Sequence, residues 1–477
     1  MNDRYIMGID NGSQSTKVVL FDLHGNEVSI GSCALKEYLT PEPGIVVHPD
    51  DDLWDSVSVA IENCLNSFTG DRKAIEGIGL CTIRSCRVLL KEDGSLAYPV
   101  LSWMDQRLSK PYQHENDQVK YVTTTSGYLG FKLTGEYNDT AGNYEVNWPL
   151  NRETLDWSTD DRVIAAEGLK RDMLFNLVKP GETLGQLRSD IVEKFGFKEE
   201  IPVVATSNDK AVEVLGAGIK DDHTLMVSLG TYISSMLLKD ENFENASNFF
   251  PTLAAMPFKY TYESNGIRRG MWTVSWFKKL IGEELETNAS NLDISEEDFL
   301  NLKAEEIPLG SEGLITILDW LASPTIPYRK GIMIGFDQRH TRYHIYRSIL
   351  EAIAYNIKNN TEDMLNETNA NIKEIIVTGG GAKSDVLMKI ISDVFGLPTH
   401  RRKGSSSSSL GAAISVCVNL KIYQNFQDAI DHMVKTDALF VPESKNHAFY
   451  SEVNEKVVKN VRMHTDEILK LTYPIFQ

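Results

Sequence analysis

Cysteine is scarce in this 477-residue chain, and the five present (Cys33, Cys64, Cys81, Cys86 and Cys417) are scattered. None of them forms the Cys-x-x-Cys spacing of metal or redox motifs, so reduced, buried thiols are expected. Long apolar runs are also missing, and the first short run ends at Asp10-Asn11-Gly12. We therefore expect neither a signal peptide nor a membrane span, and predict a cytoplasmic protein with no membrane partner.

Basic residues are outnumbered, with 48 Lys and Arg against 67 Asp and Glu, which gives a formal net charge of −19. Such a charge repels polyphosphate backbones, so the chain is not expected to bind nucleic acid. ATP remains compatible with it, because phosphate recognition depends on local amides, a metal and a few cations. A chain of this length also exceeds one hydrophobic core and predicts two domains.

Two similar hairpins indicate where these domains begin. The first joins the apolar runs 5–10 and 17–22 through a polar turn, and the second joins 224–229 to 233–238 through Gly230-Thr231. Small and polar residues at 215–222 separate them. We therefore predict an N-terminal domain over 1–220 and a C-terminal domain over 221–477.

Apolar spacing predicts one long amphipathic helix over about 342–366 and a third glycine turn. That turn, Thr378 to Ser384, contains Gly379-Gly380-Gly381 between a predicted strand at 375–377 and a helix that begins at Asp385. Three glycines allow the backbone to approach a ligand at a helix N-terminus. Each glycine turn alone could equally well do no more than reverse the chain.

Asp209 follows the short apolar run Val203-Val204-Ala205 and precedes a helix rich in small residues. A carboxylate in this position can take the proton from a hydroxyl during phosphoryl transfer. The alternative is that Ser207, Asn208 or Asp209 only caps the following helix.

The order of these turns and aspartates over nearly the whole chain resembles the FGGY family of carbohydrate kinases, members of the actin-like ATPases. The resemblance implies an α/β fold of two ribonuclease-H-like domains with the active site in the cleft between them. It also implies ATP-dependent phosphorylation of a hydroxyl of a small sugar, polyol or sugar acid, with ATP and Mg2+ as cofactors.

The resemblance also assigns roles to residues of this sequence. Asp209 corresponds to the family's catalytic base, and Asp10 to a residue that acts near Mg2+ through water. The residues that match ATP-binding positions are Asp10, Gly12, Ser13, Gln14, Ser15, Lys17, Gly230, Thr231, Gly270, Gly379, Gly380, Gly381 and Ser384. Those that match or neighbour substrate-binding positions are Arg84, Ser85, Trp103, Asp105, Arg107 and Lys210.

Several features depart from the family pattern. Ser85 replaces the glutamate of glycerol kinase and the histidine of xylulokinase, and Lys210 stands where relatives often carry Gln or Asn. Arg84 and Lys210 suggest the hypothesis of an acidic substrate, since two cations are costly in a pocket for neutral hydroxyls. The alternative is that they point to solvent or to Asp105.

The segment around Trp103 also allows a purely structural interpretation. Trp103 could be a core residue, and Asp105 with Arg107 could form an ordinary ion pair. The segment from Arg107 to about Val119 is shorter than in relatives. A catalytically inactive sugar sensor of the same fold is the competing function, and a homodimer is as compatible with the sequence as a monomer.

Overall fold

A computed structural model describes residues 4–145, 147–323, 325–404 and 406–476. Within these ranges, no helix combines the length and apolar character needed to cross a membrane. The cytoplasmic location expected from the sequence stays a prediction.

The first half of the chain forms a mixed six-stranded sheet in the order β11-β12-β4-β1-β2-β3. The strands of this half are β1 Tyr5–Asn11, β2 Ser15–Asp22, β3 Glu27–Ala34, β4 Ile75–Thr82, β5 Val88–Leu90, β6 Tyr121–Thr123, β7 Asn138–Thr140, β8 Leu150–Asn151, β9 Asp156–Trp157, β10 Asn176–Val178, β11 Thr183–Gln186 and β12 Pro202–Asn208. Its helices are α1 Asp52–Ser67, α2 Thr125–Thr134, α3 Asp161–Ala166, α4 Ser189–Phe195 and α5 Asp209–Gly216. Three small ladders pair β5 with β6, β7 with β10 and β8 with β9.

The second half forms a mixed seven-stranded sheet in the order β15-β16-β14-β13-β19-β20-β21. Its strands are β13 Thr224–Leu229, β14 Ile233–Lys239, β15 Phe249–Leu253, β16 Tyr260–Ser264, β17 Ile315–Ile317, β18 Ile332–Ile334, β19 Glu374–Thr378, β20 Thr399–Arg402 and β21 Thr436–Phe440. Its helices are α6 Gly270–Ile281, α7 Glu283–Ser290, α8 Glu296–Glu305, α9 Arg342–Thr368, α10 Asp385–Phe395, α11 Ser407–Asn419, α12 Phe426–Met433, α13 Ser444–Val453 and α14 Lys459–Thr472.

Both sheets are built on the same plan. In each, an antiparallel hairpin (β1 with β2, and β13 with β14) is continued by parallel strands. The central strands β12 and β13 are buried along their whole length, which requires apolar residues on both faces of each sheet. The hairpins, the long helix at 342 and the helix at Asp385 that the sequence predicted are confirmed.

Helices α5 and α11 lie between the two sheets. Val212 and Leu215 of α5 pack with Ile6 and Phe21 of the first sheet. Val214, on another side of α5, packs with residues of the second sheet such as Met226 and Ile376. The two domains therefore share an apolar core around this pair of helices.

Helix α11 comes from the second half of the chain but packs on β1 and β4 of the first sheet. Contact is close because glycines face it. A Cβ atom at Gly8 would lie 2.0 Å from the carbonyl oxygen of Ser409, and one at Gly79 would lie 2.3 Å from that of Ala412. Helix α11 thus follows the predicted domain boundary at residue 220 in sequence but packs on the first sheet. The boundary itself stays a prediction.

We expect Gly8→Ala to destabilise the protein by roughly 1–3 kcal/mol, because the new methyl group collides with backbone that cannot rotate away. The free energy of unfolding is measured by chemical denaturation. Gly380→Ala is the control, since nothing lies within 4 Å of a Cβ atom built there. An unchanged unfolding transition for Gly8→Ala would show that α11 does not pack as described.

Candidate active site

Three parallel strands of the first sheet end side by side and bring the polar residues together. The ends of β1, β4 and β12 are in register, with Asn11 opposite Thr82 and Thr82 opposite Asn208. The amide of Ile83 donates a 2.7 Å hydrogen bond to the carbonyl of Asn11, which fixes the chain as it leaves the sheet. Asp10, Arg84 and Asp209 therefore meet at one edge.

Asp209 is the first residue of α5, but it does not cap that helix. Asn208 does, because its side-chain oxygen accepts a 3.0 Å hydrogen bond from the amide of Ala211. Oδ1 of Asp209 is buried and has no hydrogen-bond partner among the described residues. Burial raises the pKa of Asp209, while Arg84 and Lys210 oppose the shift. The carboxylate is thus available to a ligand.

Arg84 lies among three carboxylates from different parts of the chain. Its Nη2 donates a 2.5 Å hydrogen bond to Oε2 of Glu263 in β16, so this ion pair joins the two domains. Its Nη1 lies 4.0 Å from Oε1 of Glu145, and its Nε lies 4.0 Å from Oδ1 of Asp209. Burial would lower the pKa of Arg84, but Glu263 and Glu145 raise it, so the guanidinium stays charged.

Lys210 is also paired. Its Nζ lies 3.0 Å from Oε2 of Glu213 and 3.3 Å from the hydroxyl of Ser228, while Glu213 accepts a 2.7 Å hydrogen bond from Thr378 at the end of β19. Neither Arg84 nor Lys210 points to solvent or to Asp105. Because carboxylates neutralise both cations, the reason for expecting an acidic substrate loses its physical support.

Asp10 lies opposite Lys17 in the first hairpin. Burial and the nearby charge of Asp209 raise the pKa of Asp10 to about 7, and Lys17 and Lys210 only partly oppose them. A cation beside this carboxylate would relieve the repulsion. Within the described residues, no group of three or more His, Cys, Asp or Glu side chains forms a metal site. A metal bound by Asp10 would therefore need water or phosphate oxygens as its other ligands.

Hydrogen bonds to neighbouring residues hold the backbone of the turn after Asp10, while part of the turn is exposed to solvent. The carbonyl of Ser13 accepts a hydrogen bond from the hydroxyl of Tyr38, and that of Gln14 accepts one from the amide of Leu35. Gly12 donates its amide to the carbonyl of Ser15, and the side chains of Gln14 and Ser15 are exposed. The turn is fixed in place with its outer edge accessible to an anion.

The two C-terminal turns are adjacent because β13 and β19 are parallel neighbours. Gly379 has φ +83°, and a Cβ atom there would lie 2.7 Å from the carbonyl oxygen of Leu229, just before Gly230-Thr231. Gly380 is exposed, and nothing lies within 4 Å of a Cβ atom built there. These glycines allow the two backbones to approach each other and leave one open position.

Gly270 and Ser384 have structural roles at helix starts beside these turns. Gly270 begins α6, donates its amide to the carbonyl of Thr231, and has no room for a Cβ atom against Ile233. Ser384 caps α10 and donates its hydroxyl to Asn301. Both residues lie at the edge of the turns, and their role in ATP binding stays a prediction.

A cavity of about 170 Å3 lies next to the cluster of Arg84 and its three carboxylates, and is lined by Glu145 and by Ser85, the residue after Arg84. Ser85, with φ +54°, lines it and donates a 2.8 Å hydrogen bond to Oε2 of Glu145. Its lining residues come from both domains and are Ser85, Cys86, Arg87, Leu108, Asn143, Glu145, Asn147, Trp148 and Phe250. The cavity combines polar with aromatic side chains, which suits a small polar ligand.

The Trp103 segment contributes less directly. Asp105 is buried, and its oxygens accept hydrogen bonds from Arg107 and from the amide of Val46. Arg107 lies over the ring of Tyr98, and Trp103 is about half exposed. The structure thus pairs Asp105 with Arg107 in an ordinary ion pair, and neither residue lines the cavity.

Sequence reasoning missed three glutamates of the site. Glu213 stands three residues after Lys210 on α5, a spacing that could have revealed it. Glu263 is a single acidic residue in a buried strand, which only weakly indicates a functional role. Glu145 lies in an irregular loop, where no sequence pattern indicates one.

Comparison with known proteins adds the family context. A sequence model of the N-terminal domain of the FGGY family of carbohydrate kinases matches residues 5–116 and 108–216, and one of the C-terminal domain matches residues 225–420. The break in the first match falls in the segment after Arg107 that we predicted to be short.

Individual relatives cover the whole chain. The "uncharacterized sugar kinase YgcE" of Escherichia coli K12 is 45% identical over 475 residues, which span 100% of this chain and 96% of the relative. A xylulose kinase of Staphylococcus epidermidis is 24% identical over 98% of this chain and 99% of its own. The crystal structure of a gluconate kinase from Lactobacillus acidophilus, 19% identical, covers 98% of this chain and 99% of its own with a TM-score of 0.81, which shows the same two-domain fold.

We expect Glu263→Ala to destabilise the protein by about 3 kcal/mol, because it removes the direct partner of a mostly buried guanidinium. Chemical denaturation measures the effect, with the exposed Glu62→Ala in α1 as the control. Equal stability of the two variants would show that the bond between Arg84 and Glu263 does not hold the domains together.

Proposed function

The chain belongs to the FGGY family of carbohydrate kinases, and on that premise we propose that it transfers the γ-phosphoryl group of ATP to a hydroxyl of a small sugar or polyol, with Asp209 as the general base. The observation that carries this proposal is the buried Oδ1 of Asp209, which has no hydrogen-bond partner among the described residues and lies 4.0 Å from Nε of Arg84. A base must have a free lone pair where the hydroxyl binds.

Phosphoryl transfer in this arrangement has a proton acceptor, Asp209, and a leaving group, ADP. The substrate hydroxyl gives its proton to Asp209 as its oxygen bonds to the γ-phosphorus, and the bond from that phosphorus to the bridging oxygen breaks to release ADP. Arg84 holds the hydroxyl oxygen, and Lys210, fixed by Glu213, supplies positive charge close to the reacting groups. The raised pKa of Asp209 suits it to take a proton.

Family membership implies the use of ATP, and the site supports a specific arrangement for it. In this proposal the turns at Gly12–Ser15, Gly230–Thr231 and Gly379–Gly381 approach the nucleotide through their backbone. Asp10 would hold Mg2+, which neutralises the charge of the phosphates when it is bound. Lys17, opposite Asp10, adds a cation near the same phosphates.

We expect Asp209→Asn to lower the rate of phosphorylation by about 10²–10⁴-fold, because the amide cannot accept the proton. Sugar-dependent ADP release over a panel of sugars and polyols measures the rate, and nucleotide affinity should change little. Asp190→Asn, on exposed α4, is the control. If Asp209→Asn retains turnover, Asp209 is not the base. If the wild-type protein releases no ADP with any acceptor, the inactive sensor is favoured.

We expect Mg2+-dependent binding of ADP to strengthen as the pH rises through about 7. Below that pH Asp10 is protonated and cannot hold the ion, and above it the carboxylate is formed, so affinity increases by up to about tenfold per pH unit below the pKa. Titration calorimetry at several pH values measures it. Asp10→Asn is the control, since ADP titrates identically in both proteins. Parallel pH curves for the two proteins would exclude Asp10 as the metal-side residue.

A further inference from the structure

The cavity lined by Asn143 and Glu145 and the neighbouring Arg84 cluster hold hydrogen-bond acceptors that the described residues do not satisfy. Oδ1 of Asn143, Oε1 of Glu145 and Oδ1 of Asp209 are buried and find no donor among the residues that the structure describes. Hydrogen bonds from Nδ2 of Asn143 to the hydroxyls of Thr82, Thr124 and Ser126 fix the orientation of its side-chain amide, so its Oδ1 stays without a donor. Buried acceptors without donors are costly, so a ligand that brings O–H groups would stabilise the site.

Two nitrogen atoms of Arg84 each lie near one of these oxygens. Its Nη1 is buried without a partner and lies 4.0 Å from Oε1 of Glu145, and its Nε lies 4.0 Å from Oδ1 of Asp209. Both separations are too long for a direct hydrogen bond. A ligand oxygen placed about 2.8 Å from both atoms of either pair would be within hydrogen-bond distance of each. A hydroxyl can accept from the guanidinium and donate to the carboxylate at the same time.

From this geometry we propose that Glu145 is a substrate-binding residue that accepts a hydrogen bond from one hydroxyl of a neutral, polyhydroxylated substrate while a second hydroxyl lies between Arg84 and Asp209. This inference rests on the proposed function, which gives the hydroxyl at Asp209 its reactive role. Glu145 then contributes to substrate selection by binding a hydroxyl of the substrate that does not react.

The same residues disfavour a carboxylated substrate. A ligand carboxylate accepts hydrogen bonds from Arg84 but cannot donate to Glu145. It would also lie next to the charges of Glu145, Glu263 and Asp209, of which Arg84 and Lys210 offset only part. A sugar acid should therefore bind less well than the polyol of the same length.

Two aromatic rings complete the cavity on its apolar side. Phe250 of β15 lines it from the second domain and lies under the guanidinium of Arg84, with 5.7 Å from Cζ to the ring centroid. Trp148 lines it from the first domain. These rings suit the C–H faces of a sugar or polyol chain, and a volume of about 170 Å3 limits the ligand to a few carbon atoms.

A purely structural role for Glu145 is the competing explanation, because its Oε2 accepts the hydroxyl of Ser85 and so holds the strained loop. Glu145→Gln separates the two roles: it keeps an oxygen for Ser85 but removes the negative charge. A structural role predicts a lower unfolding midpoint with unchanged ligand selection. Substrate binding predicts a changed selection in a protein of near-normal stability.

The test measures binding without ATP, so that it does not depend on turnover. Titration calorimetry compares glycerol, xylitol and D-xylulose with D-xylonate and D-gluconate on the wild-type protein, Glu145→Gln and the exposed control Glu153→Gln. We expect at least one neutral compound to bind the wild-type protein at least tenfold more tightly than either acid. Glu145→Gln should weaken that binding about tenfold and reduce the preference over the acids by at least tenfold, and the control should match the wild type.

Three results would overturn the proposal: tighter binding of the acids, no binding of any neutral compound, or the same selection in Glu145→Gln as in the wild type. The steady-state constants distinguish its failure from that of the proposed function. Phosphorylation of a neutral sugar with unchanged KM in Glu145→Gln would reject Glu145 alone. Neutral-sugar binding that depends on Glu145 without any phosphorylation would reject the kinase proposal alone.

Discussion

The guanidinium of Arg84 is the constraint on which the rest of the site depends. It leaves the end of β4, bonds to Glu263 across the cleft, and stands 4.0 Å from both Glu145 and Asp209. Because Arg84 bonds directly to Glu263 and its charge also acts on Glu145 and Asp209, the latter two carboxylates can be buried without a direct ionic partner. Arg84 thus joins the two domains. In the proposed binding mode, one ligand hydroxyl bridges Arg84 and Glu145 and another bridges Arg84 and Asp209, across separations of 4.0 Å.

Two copies of one sheet plan bring the other groups to this point. In each domain the hairpin turn and the end of the neighbouring parallel strand lie at the same edge, which places Asp10 near Asp209 and Gly230 near Gly379. Helices α5 and α11 fill the space between the sheets, where α5 carries Asp209, Lys210 and Glu213. The shared core and these charged side chains therefore belong to one piece of structure, so that the packing of α5 sets the position of Asp209.

The sequence predicted the hairpins, the long helix α9 and the family because these depend on local patterns: apolar alternation, helical spacing and glycine turns in order. The base role of Asp209 stays a prediction, and the sequence could not assign the helix cap to Asn208, since both residues cap helices well and only the structure separates them. The acidic-substrate hypothesis followed from Arg84 and Lys210 without their partners. Glu263 and Glu145 are 179 and 61 positions away from Arg84, and no local pattern reveals a pairing over such a distance.

The most direct test of this account is a crystal structure of the protein with a bound neutral polyol and a non-hydrolysable ATP analogue. We predict one ligand hydroxyl within about 3 Å of both Asp209 and Arg84, a second within about 3 Å of both Glu145 and Arg84, and the γ-phosphate facing the first. A polyol bound with its hydroxyls away from Asp209, or an Arg84 that turns from Glu145 to leave no bridged hydroxyl, would contradict it.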